Sequence, residues 1–262
     1  SQVFKIDYVG DEIAVEWTVN RAGKRICTKI VSLLLVIGCL MSEPVLAEKQ
    51  KEPEAQTLYS KSCAMVDGDS GRLLYGKEAQ TALPNASTTK ILTAYIIIRN
   101  CDLDDKVTVS ADAIANMADS SKCGLAAGDV LTVRDLLYGL LLVSGNDAAN
   151  AIAEHISGSV EKFAELMNQE AAALGASQSH FVNAHGLPDE NHYTTAYDLY
   201  LIFNAAVQND HFVKLISTKK YDASYMDASG APVNVTWFNT NGYLKGTFSM
   251  PENVTVIGGK TG

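Results

Sequence analysis

The sequence predicts an α+β protein in which helices pack against an antiparallel sheet. Residues 63–66 and 72–75 are short strand-like runs on either side of a Gly-Asp-Ser-Gly turn and are typical of a hairpin. The middle of the chain has the start and stop signals of helices, and strand-like runs separated by Gly, Pro and Asn return after residue 219. Because strands on both sides of a helical section need a common layer to bury their apolar faces, we expect one sheet with helices packed on it.

The composition is that of a globular protein with an acidic surface. The 262 residues, 47% of them hydrophobic, can bury a sizeable core in one large domain, or in one domain and a subdomain. The formal net charge of −9 at pH 7 excludes the strongly basic surface that nucleic acids or anionic membranes attract. We therefore expect no nucleic-acid partner.

Residues 19–47 have the pattern of a secretory signal peptide. A basic start precedes an apolar segment at 30–41, and Val45-Leu46-Ala47 is a small-residue cleavage pattern. This apolar segment has 12 residues, whereas a membrane-spanning helix takes roughly 20. A buried core helix is the alternative, although the charged stretch at 48–54 argues against it. The sequence thus predicts an exported protein of the periplasm, the cell wall or the outer face of the cytoplasmic membrane.

The predicted signal does not stand at the first residue. Residues 1–18 precede it, and we interpret them as upstream sequence, with translation starting at Val19. Residues 48–60 would then be a polar linker and residues 61–262 the folded domain. A second interpretation of the signal is that of a lipoprotein. The stretch Val36-Ile37-Gly38-Cys39 is similar to a lipid-attachment box, in which Cys39 would carry the lipid.

Neither the cysteines nor the histidines are spaced like metal ligands. The predicted exported part has three cysteines, which we expect to be buried thiols, with one disulfide as the alternative: Cys63, Cys101 and Cys123. Three of the five histidines lie close together in sequence: His180, His185 and His192. The sequence therefore predicts no metal site and no cofactor.

Capping and breaking residues predict the helices. Pro84-Asn85 interrupts the chain just before the apolar run at 91–98. The stretch from Thr132 to Asp135 is typical of a cap for a helix at 136–143, and Gly145 ends that helix, so Ser144 is expected on a turn. Further helices are expected at 146–155, 159–174 and 195–207, and strands at 221–225, 233–237 and 254–257.

A serine and a lysine stand three positions apart at the start of the first predicted helix. The i and i+3 positions of a helix share one face, so the Ser87 hydroxyl and the Lys90 amine can meet there. A hydroxyl beside an amine is a candidate nucleophile and base, and the backbone N–H groups of a helix start favour negative charge on a substrate oxygen. The spacing alone is weak, because a chain of this length contains about one such pair by chance. Ser217 and Lys220 form a second pair with the same spacing.

Two further motifs distinguish Ser87 from Ser217. They follow in the order SxxK, SxN, KTG, and they are Ser144-Gly145-Asn146 and Lys260-Thr261-Gly262. By these three motifs the chain resembles the low-molecular-mass penicillin-binding proteins, specifically the serine D-Ala-D-Ala carboxypeptidases, from about Ala64 to Gly262. The resemblance implies a β-lactamase/transpeptidase-like fold. In that fold a five-stranded antiparallel sheet has helices on both faces, and the site lies between the sheet and a helical subdomain.

The resemblance also implies roles for the reacting groups. Ser87 would attack the carbonyl between the two terminal D-alanines of a peptidoglycan stem peptide, and water would hydrolyse the acyl-enzyme. Lys90 would be the general base, with its pKa lowered by the apolar helix and by Lys260 as a second cation. Ser144 would pass a proton to the leaving amine. β-Lactam antibiotics would acylate the same serine.

The same resemblance assigns the substrate-binding residues. Asn146 would hydrogen-bond the substrate backbone, and Lys260 and Thr261, followed by Gly262, would hold the substrate carboxylate. The backbone N–H of Ser87 would supply half of the oxyanion hole.

Two other functions remain open from the sequence. A serine β-lactamase uses the same acylation chemistry but needs a second carboxylate for fast deacylation. The segment around Glu165 is similar to such an acid motif, yet it falls inside an amphipathic helix, where a charged residue is usually solvated. The other alternative is a non-catalytic module that binds peptidoglycan or β-lactams and signals, although a pure binder does not need a base beside a nucleophile.

The KTG motif coincides with the last residues of the sequence. We expect the strands beside 254–257 to come from residues beyond Gly262. The resemblance implies that the second oxyanion N–H and a further cation for the substrate carboxylate come from there as well. Residues 61–262 would then be an incomplete catalytic domain and a poor enzyme by themselves. Membrane association is expected either through that missing region or through a lipidated Cys39.

Overall fold

The computed structural model describes residues 2–9, 12–20, 59–117, 119–250 and 252–262. The predicted signal at 19–47, apart from its first two residues, and the predicted linker up to residue 58 lie outside the described residues. Cys39 and its lipid-attachment pattern lie outside them as well.

Nine strands and seven helices make up the described part of the chain. The strands are β1 (Gln2–Val9), β2 (Glu12–Asn20), β3 (Ser62–Asp67), β4 (Leu73–Lys77), β5 (Lys106–Thr108), β6 (Val130–Thr132), β7 (Lys220–Met226), β8 (Pro232–Phe238) and β9 (Val254–Thr261). The helices are α1 (Thr89–Asn100), α2 (Val133–Leu142), α3 (Asn146–Ser157), α4 (Val160–Ala173), α5 (Ala196–Ala206), α6 (Asp210–Ser217) and α7 (Gly242–Lys245).

The strands form two antiparallel sheets. The larger has the order β4-β3-β1-β2-β9, and the smaller has the order β5-β6-β7-β8. The predicted β3–β4 hairpin is confirmed. The prediction of one sheet is wrong, because the strands at 221–225 and 233–237 pair with each other and with β6 rather than with β9. β5 and β6 have only three residues each, too few for a recognisable alternation of side chains.

The hairpin β1–β2 occupies the middle of the larger sheet. β1 pairs with β3, where Phe4 lies opposite Val66, and β2 pairs with β9, where Val15 lies opposite Lys260. β9 is thus paired with β2 along one side, and the expectation that further elements of the sheet follow Gly262 stays a prediction. The interpretation of residues 1–18 as upstream sequence does not anticipate these pairings, and the start of translation at Val19 stays a prediction.

Helix α1 lies at the centre of the helical layer. It packs against α2, α3, α4, α5 and α6, and its apolar residues are buried on all sides. A helix that is hydrophobic all round belongs in the core, which explains why its apolar run has no polar face. On the other side of α5, the ring of Phe4 contacts Tyr200 and Phe203, with ring centroids 5.7 and 5.8 Å apart.

Side-chain caps start three of the helices that the sequence predicted, whereas α1 and α3 begin without one. Thr132 and Asp135 form a capping box at α2, and Ser159 and Thr195 cap α4 and α5. Helix α6, which Asn209 caps, was not predicted because it has only eight residues between two polar segments. No helix in the described part of the chain is long and apolar enough to cross a membrane.

We predict that Phe4→Ala destabilises the protein, because Phe4 is 0% exposed and fills space between β1 and α5. Truncating a buried phenylalanine costs about 3–5 kcal/mol, which urea unfolding followed by circular dichroism would measure. Phe238→Ala is the matched control, since Phe238 is 62% exposed and its loss should change the unfolding free energy by about 0.5 kcal/mol or less. Equal effects of the two substitutions would show that β1 is not part of the core.

Candidate active site

Ser87 lies in a short turn directly before the central helix. Ala86–Thr88 form a single 3₁₀ turn, and α1 begins at Thr89. The turn packs against β2 and β9 of the larger sheet. Ala86 has a φ of 42°, a conformation that non-glycine residues rarely adopt. The turn thus leaves Ser87 partly exposed, while Lys90, one helical turn further on, is buried.

The Lys90 amine is a fully buried polar group at the site. Lys90 is 0% exposed, and its Nζ lies 3.0 Å from Ser87 Oγ, 2.6 Å from Asn146 Oδ1 and 2.6 Å from the carbonyl oxygen of His185. Burial, and then the nearby charge of Lys260, hold the pKa of Lys90 well below its usual value. Lys90 therefore loses its proton more readily than an exposed lysine does.

The three neighbours of this amine determine the direction of each hydrogen bond. A neutral amine has two N–H donors and one lone pair. The His185 carbonyl and the Asn146 amide oxygen can only accept, so they take both N–H groups. In this neutral form the lone pair is left for the Ser87 hydroxyl at 3.0 Å, which can then donate to it, whereas the charged amine donates to Ser87 Oγ. The geometry is that of a base aimed at a nucleophile.

Ser144 lies on the tight turn between α2 and α3, as predicted. Its φ of 61° is in the left-handed region, and its buried hydroxyl has no hydrogen-bond partner among the described residues. Backbone strain and an unpaired polar atom at one residue are typical of a functional site. The next residue must be Gly145, because a Cβ there would overlap the sulfur of Cys123.

A buried carboxylate, which sequence reasoning missed, holds the loop beside this turn. Asp147 accepts the backbone N–H groups of Cys123, Gly124 and Leu125 at 2.9, 2.9 and 3.1 Å. The backbone N–H of Asn146 donates to the carbonyl oxygen of Ser121 at 2.9 Å. The loop at 121–125 is therefore fixed against the start of α3. The same contacts fix the backbone of Asn146.

Lys260 approaches the site from the edge strand β9. Its side chain is almost completely buried, and burial lowers its pKa to about 7. Its amine donates to the carbonyl oxygen of Thr261, and its charge acts on Lys90. Thr261 and Gly262 follow it at the end of the strand and are partly exposed. The structure thus brings Ser87, Lys90 and Asn146 into contact and places Lys260 within electrostatic range of them.

The competing patterns in the sequence do not form a second site. Ser217 Oγ donates to the carbonyl oxygen of Lys214, and Lys220 forms an exposed ion pair with Asp222 at 3.5 Å. Glu165 is exposed on α4, as expected for a solvated face. Of the predicted thiols, Cys101 and Cys123 are free and Cys63 is buried in β3.

A cleft of about 530 Å³ opens beside Ser87. Its wall includes two Leu-Pro pairs, Leu83-Pro84 and Leu187-Pro188, and the side chain of Asn146. Pockets that bind small molecules have this combination of an apolar lining and a few polar groups. Ser87 is among the lining residues, so a molecule in the cleft can reach the nucleophile.

The segment at 182–194 forms the far wall and presses on the nucleophile turn. Gly186 has a φ of +92°, and a Cβ at this position would overlap the carbonyl oxygen of Ala86. The same segment supplies the His185 carbonyl that accepts from Lys90. Sequence reasoning missed both contacts, because neither involves a reactive side chain.

The antiparallel sheets packed with helices around α1 and the Ser87–Lys90–Asn146 arrangement define a protein of the β-lactamase/transpeptidase-like class. Among solved structures, the chain is similar to the DD-transpeptidase of Streptomyces K15, with a TM-score of 0.68 and 32% identity over 75% of this chain and 87% of that one. It is also similar to a D-alanyl-D-alanine carboxypeptidase from Mycobacterium tuberculosis H37Rv, with a TM-score of 0.64 and 33% identity over 71% and 68% of the two chains. These similarities confirm the predicted fold class.

The family follows from the sequence comparison. Residues 48–262 match the D-alanyl-D-alanine carboxypeptidase family, and the chain belongs to that family. It is 36% identical to DacF of Bacillus subtilis over 203 residues, and this alignment covers 75% of this chain and 50% of DacF. It is 38% identical over 224 residues to a D-alanyl-D-alanine carboxypeptidase of Streptomyces K15, over 80% and 75% of the two chains. The chain therefore spans half the length of DacF and three quarters of the Streptomyces protein.

We predict that Gly186→Ala destabilises the protein more than Gly230→Ala does. Both glycines have positive φ, so each alanine adds backbone strain of about 1–2 kcal/mol. Only at Gly186 does the new methyl group meet the nucleophile turn, and this overpacking adds about 1–3 kcal/mol. Denaturant unfolding of the two variants measures the difference. Equal losses would show that the segment at 182–194 does not press on Ala86.

Proposed function

We propose that the chain is a serine-type D-Ala-D-Ala carboxypeptidase that removes the terminal D-alanine of peptidoglycan stem peptides. The observation that carries the proposal is the environment of Lys90. Its buried amine faces two groups that only accept hydrogen bonds, and its remaining position faces the hydroxyl of Ser87. Such an amine, whose pKa is held well below its usual value, can act in its neutral form as a base for that hydroxyl.

The first half of the reaction acylates Ser87. Lys90 takes the hydroxyl proton as Ser87 Oγ bonds to the carbonyl carbon of the penultimate D-alanine. The backbone N–H of Ser87 stabilises the oxyanion. The C–N bond then breaks, and the proton on Lys90 passes through the hydroxyl of Ser144 to the leaving amine, which leaves Lys90 neutral again; the Ser144 oxygen is unpaired among the described residues and open to such a role.

The second half releases the peptide. A water molecule gives a proton to Lys90 and attacks the ester carbonyl, and Ser87 leaves with a proton from the lysine. The products are a stem peptide shortened by one residue and free D-alanine. β-Lactams enter the same path as substitutes for the peptide, but their leaving group stays attached to the acyl-enzyme.

The terminal carboxylate of the peptide binds at the KTG strand. The pKa of Lys260 is lowered to about 7 without ligand, and an incoming carboxylate raises it again, so the bound state pairs two charges. Thr261 and Gly262 continue the strand along this carboxylate, and Asn146 hydrogen-bonds the peptide backbone. A peptidoglycan substrate implies an extracytoplasmic enzyme, which is consistent with the predicted signal at 19–47.

The rival functions receive less support. Glu165, the acid that the sequence offers for β-lactamase deacylation, is exposed on α4. A sensor that only binds would gain nothing from burying the Lys90 amine against the nucleophile.

We predict that the protein releases D-alanine from a D-Ala-D-Ala peptide faster than it hydrolyses penicillin, and that penicillin labels Ser87. Mass spectrometry of the labelled peptide identifies the serine, and an assay for free D-alanine gives the rate. Ser87→Ala should abolish labelling, whereas Ser217→Ala, at the other SxxK pair, should not change it. Label on another serine would contradict the site, and faster penicillin hydrolysis would indicate a β-lactamase.

We predict that the acylation rate rises with pH and reaches its plateau well below pH 10.5. At saturating β-lactam, whose carboxylate keeps Lys260 charged, neutral Lys90 is the active form, so the rate falls as pH drops through the lowered pKa of Lys90. Lys90→Arg should abolish acylation at every pH, because arginine keeps its proton. Stopped-flow measurement with a chromogenic β-lactam gives the profile, and Lys220→Arg is the control. A near wild-type rate for Lys90→Arg would show that Lys90 acts only through its charge.

A further inference from the structure

The buried imidazole of His192 contacts Thr89, directly after the nucleophile turn, but takes no part in the proton transfers. His192 is 3% exposed and belongs to the segment at 182–194. Its Nε2 lies 2.7 Å from the hydroxyl of Thr89, and its Nδ1 lies 3.2 Å from the backbone nitrogen of Val182. The edge of the ring packs against Phe181, with ring centroids 5.5 Å apart. The ring is therefore held on three sides.

These contacts determine which ring nitrogen carries the proton. The backbone N–H of Val182 donates to Nδ1, so Nδ1 has no proton. Burial lowers the pKa of His192 to about 4, so the ring is neutral at neutral pH and its proton is on Nε2. The imidazole therefore donates to the oxygen of Thr89.

Thr89 connects this donor to the turn that carries Ser87. The side-chain amide of Asn85 donates to the same hydroxyl oxygen at 2.8 Å. Asn85 and Thr89 are both fully buried, and they stand immediately before and after Ala86–Thr88. The Asn85–Thr89 hydrogen bond joins the two ends of the turn, and His192 holds the same oxygen from the segment at 182–194, so together they restrict the conformation of the turn.

The turn needs such restraint for two reasons. Ala86 holds an unfavourable φ of 42°, which costs free energy unless the surroundings impose it. The Ser87 hydroxyl also has to stay 3.0 Å from the Lys90 amine for proton transfer. Lys90 restrains Ser87 from one side only.

We propose that His192 positions Ser87, and that it does so through Thr89 and Asn85. Its Nε2–H holds Thr89, and Thr89 with Asn85 holds the turn in the conformation that keeps the Ser87 hydroxyl on the lone pair of Lys90. This role rests on the proposed function, and it assigns His192 no contact with the reacting atoms.

The test compares His192→Phe with His192→Gln. Phenylalanine keeps a ring against Phe181 but has no donor, whereas the glutamine amide can still donate to Thr89. We expect His192→Phe to lower the acylation rate constant per active site by about 100-fold, the size of effect that a small misplacement of reacting groups produces. His192→Gln should stay within about tenfold of wild type. The KM for a D-Ala-D-Ala peptide should change little while kcat falls, since only the reacting geometry is altered.

A second route reaches the same hydrogen bond from the other side. Thr89→Val removes the acceptor and keeps the shape, so it should match His192→Phe, and the double variant should lose no more than either single variant. His180→Phe is the control, because His180 lies in the strand-like stretch just before the segment, with an exposed ring whose Nδ1 contacts the carbonyl of Asn191. It should keep the wild-type rate.

The outcomes separate positioning from a purely structural role. A structural role would lower the melting temperature and the fraction of titratable sites while the rate constant per site stays at the wild-type value, and that result would overturn the proposal. If His192→Phe does not fold, a wild-type rate in Thr89→Val overturns it equally. Absence of penicillin acylation in the wild-type protein would instead contradict the proposed function, whatever the variants do.

Discussion

The rest of the site depends on the burial of one amine, that of Lys90. A lysine without solvent is stable only as the neutral form or beside groups that satisfy its N–H bonds. Here the partners come from three separate parts of the chain: the turn before α1, the start of α3 and the segment at 182–194. Because two of them are pure acceptors, the same contacts that make burial tolerable also direct the lone pair at Ser87. Stability and chemistry therefore impose the same geometry.

Close backbone approach makes this geometry attainable. Gly145 admits the sulfur of Cys123 beneath the SxN turn, and Gly186 admits the carbonyl of Ala86 beneath the nucleophile turn. Asp147 adds a third constraint by holding the loop at 121–125 through three backbone N–H groups. These contacts fix the backbone around the site, while the side chains of Ser87 and Ser144 remain available for reaction.

The larger sheet contributes the second cation. Lys260 depends on the position of β9, which is paired along one side by β2 and contacts α6. The charge of Lys260 helps lower the pKa of Lys90, so the pairing of β2 with β9 influences the chemistry at Ser87. The two lysines are both buried, yet they differ in surroundings: one faces acceptors and a nucleophile, the other the end of a strand.

The sequence by itself determined the features that depend on short spacing. The three motifs, the Thr132 capping box and the β3–β4 hairpin follow from neighbours within a few residues, and the fold class and the family follow from those motifs. Only the tertiary structure decided the partner of β9, the separate sheet that contains β7 and β8, and the third neighbour of Lys90. That neighbour is the backbone carbonyl of His185, a group that every residue carries, so no residue type marks it in a sequence. Strand partners and the Thr89–His192 contact join residues that are far apart in the chain. Hydrophobic periodicity describes only neighbouring residues, so it cannot predict such contacts.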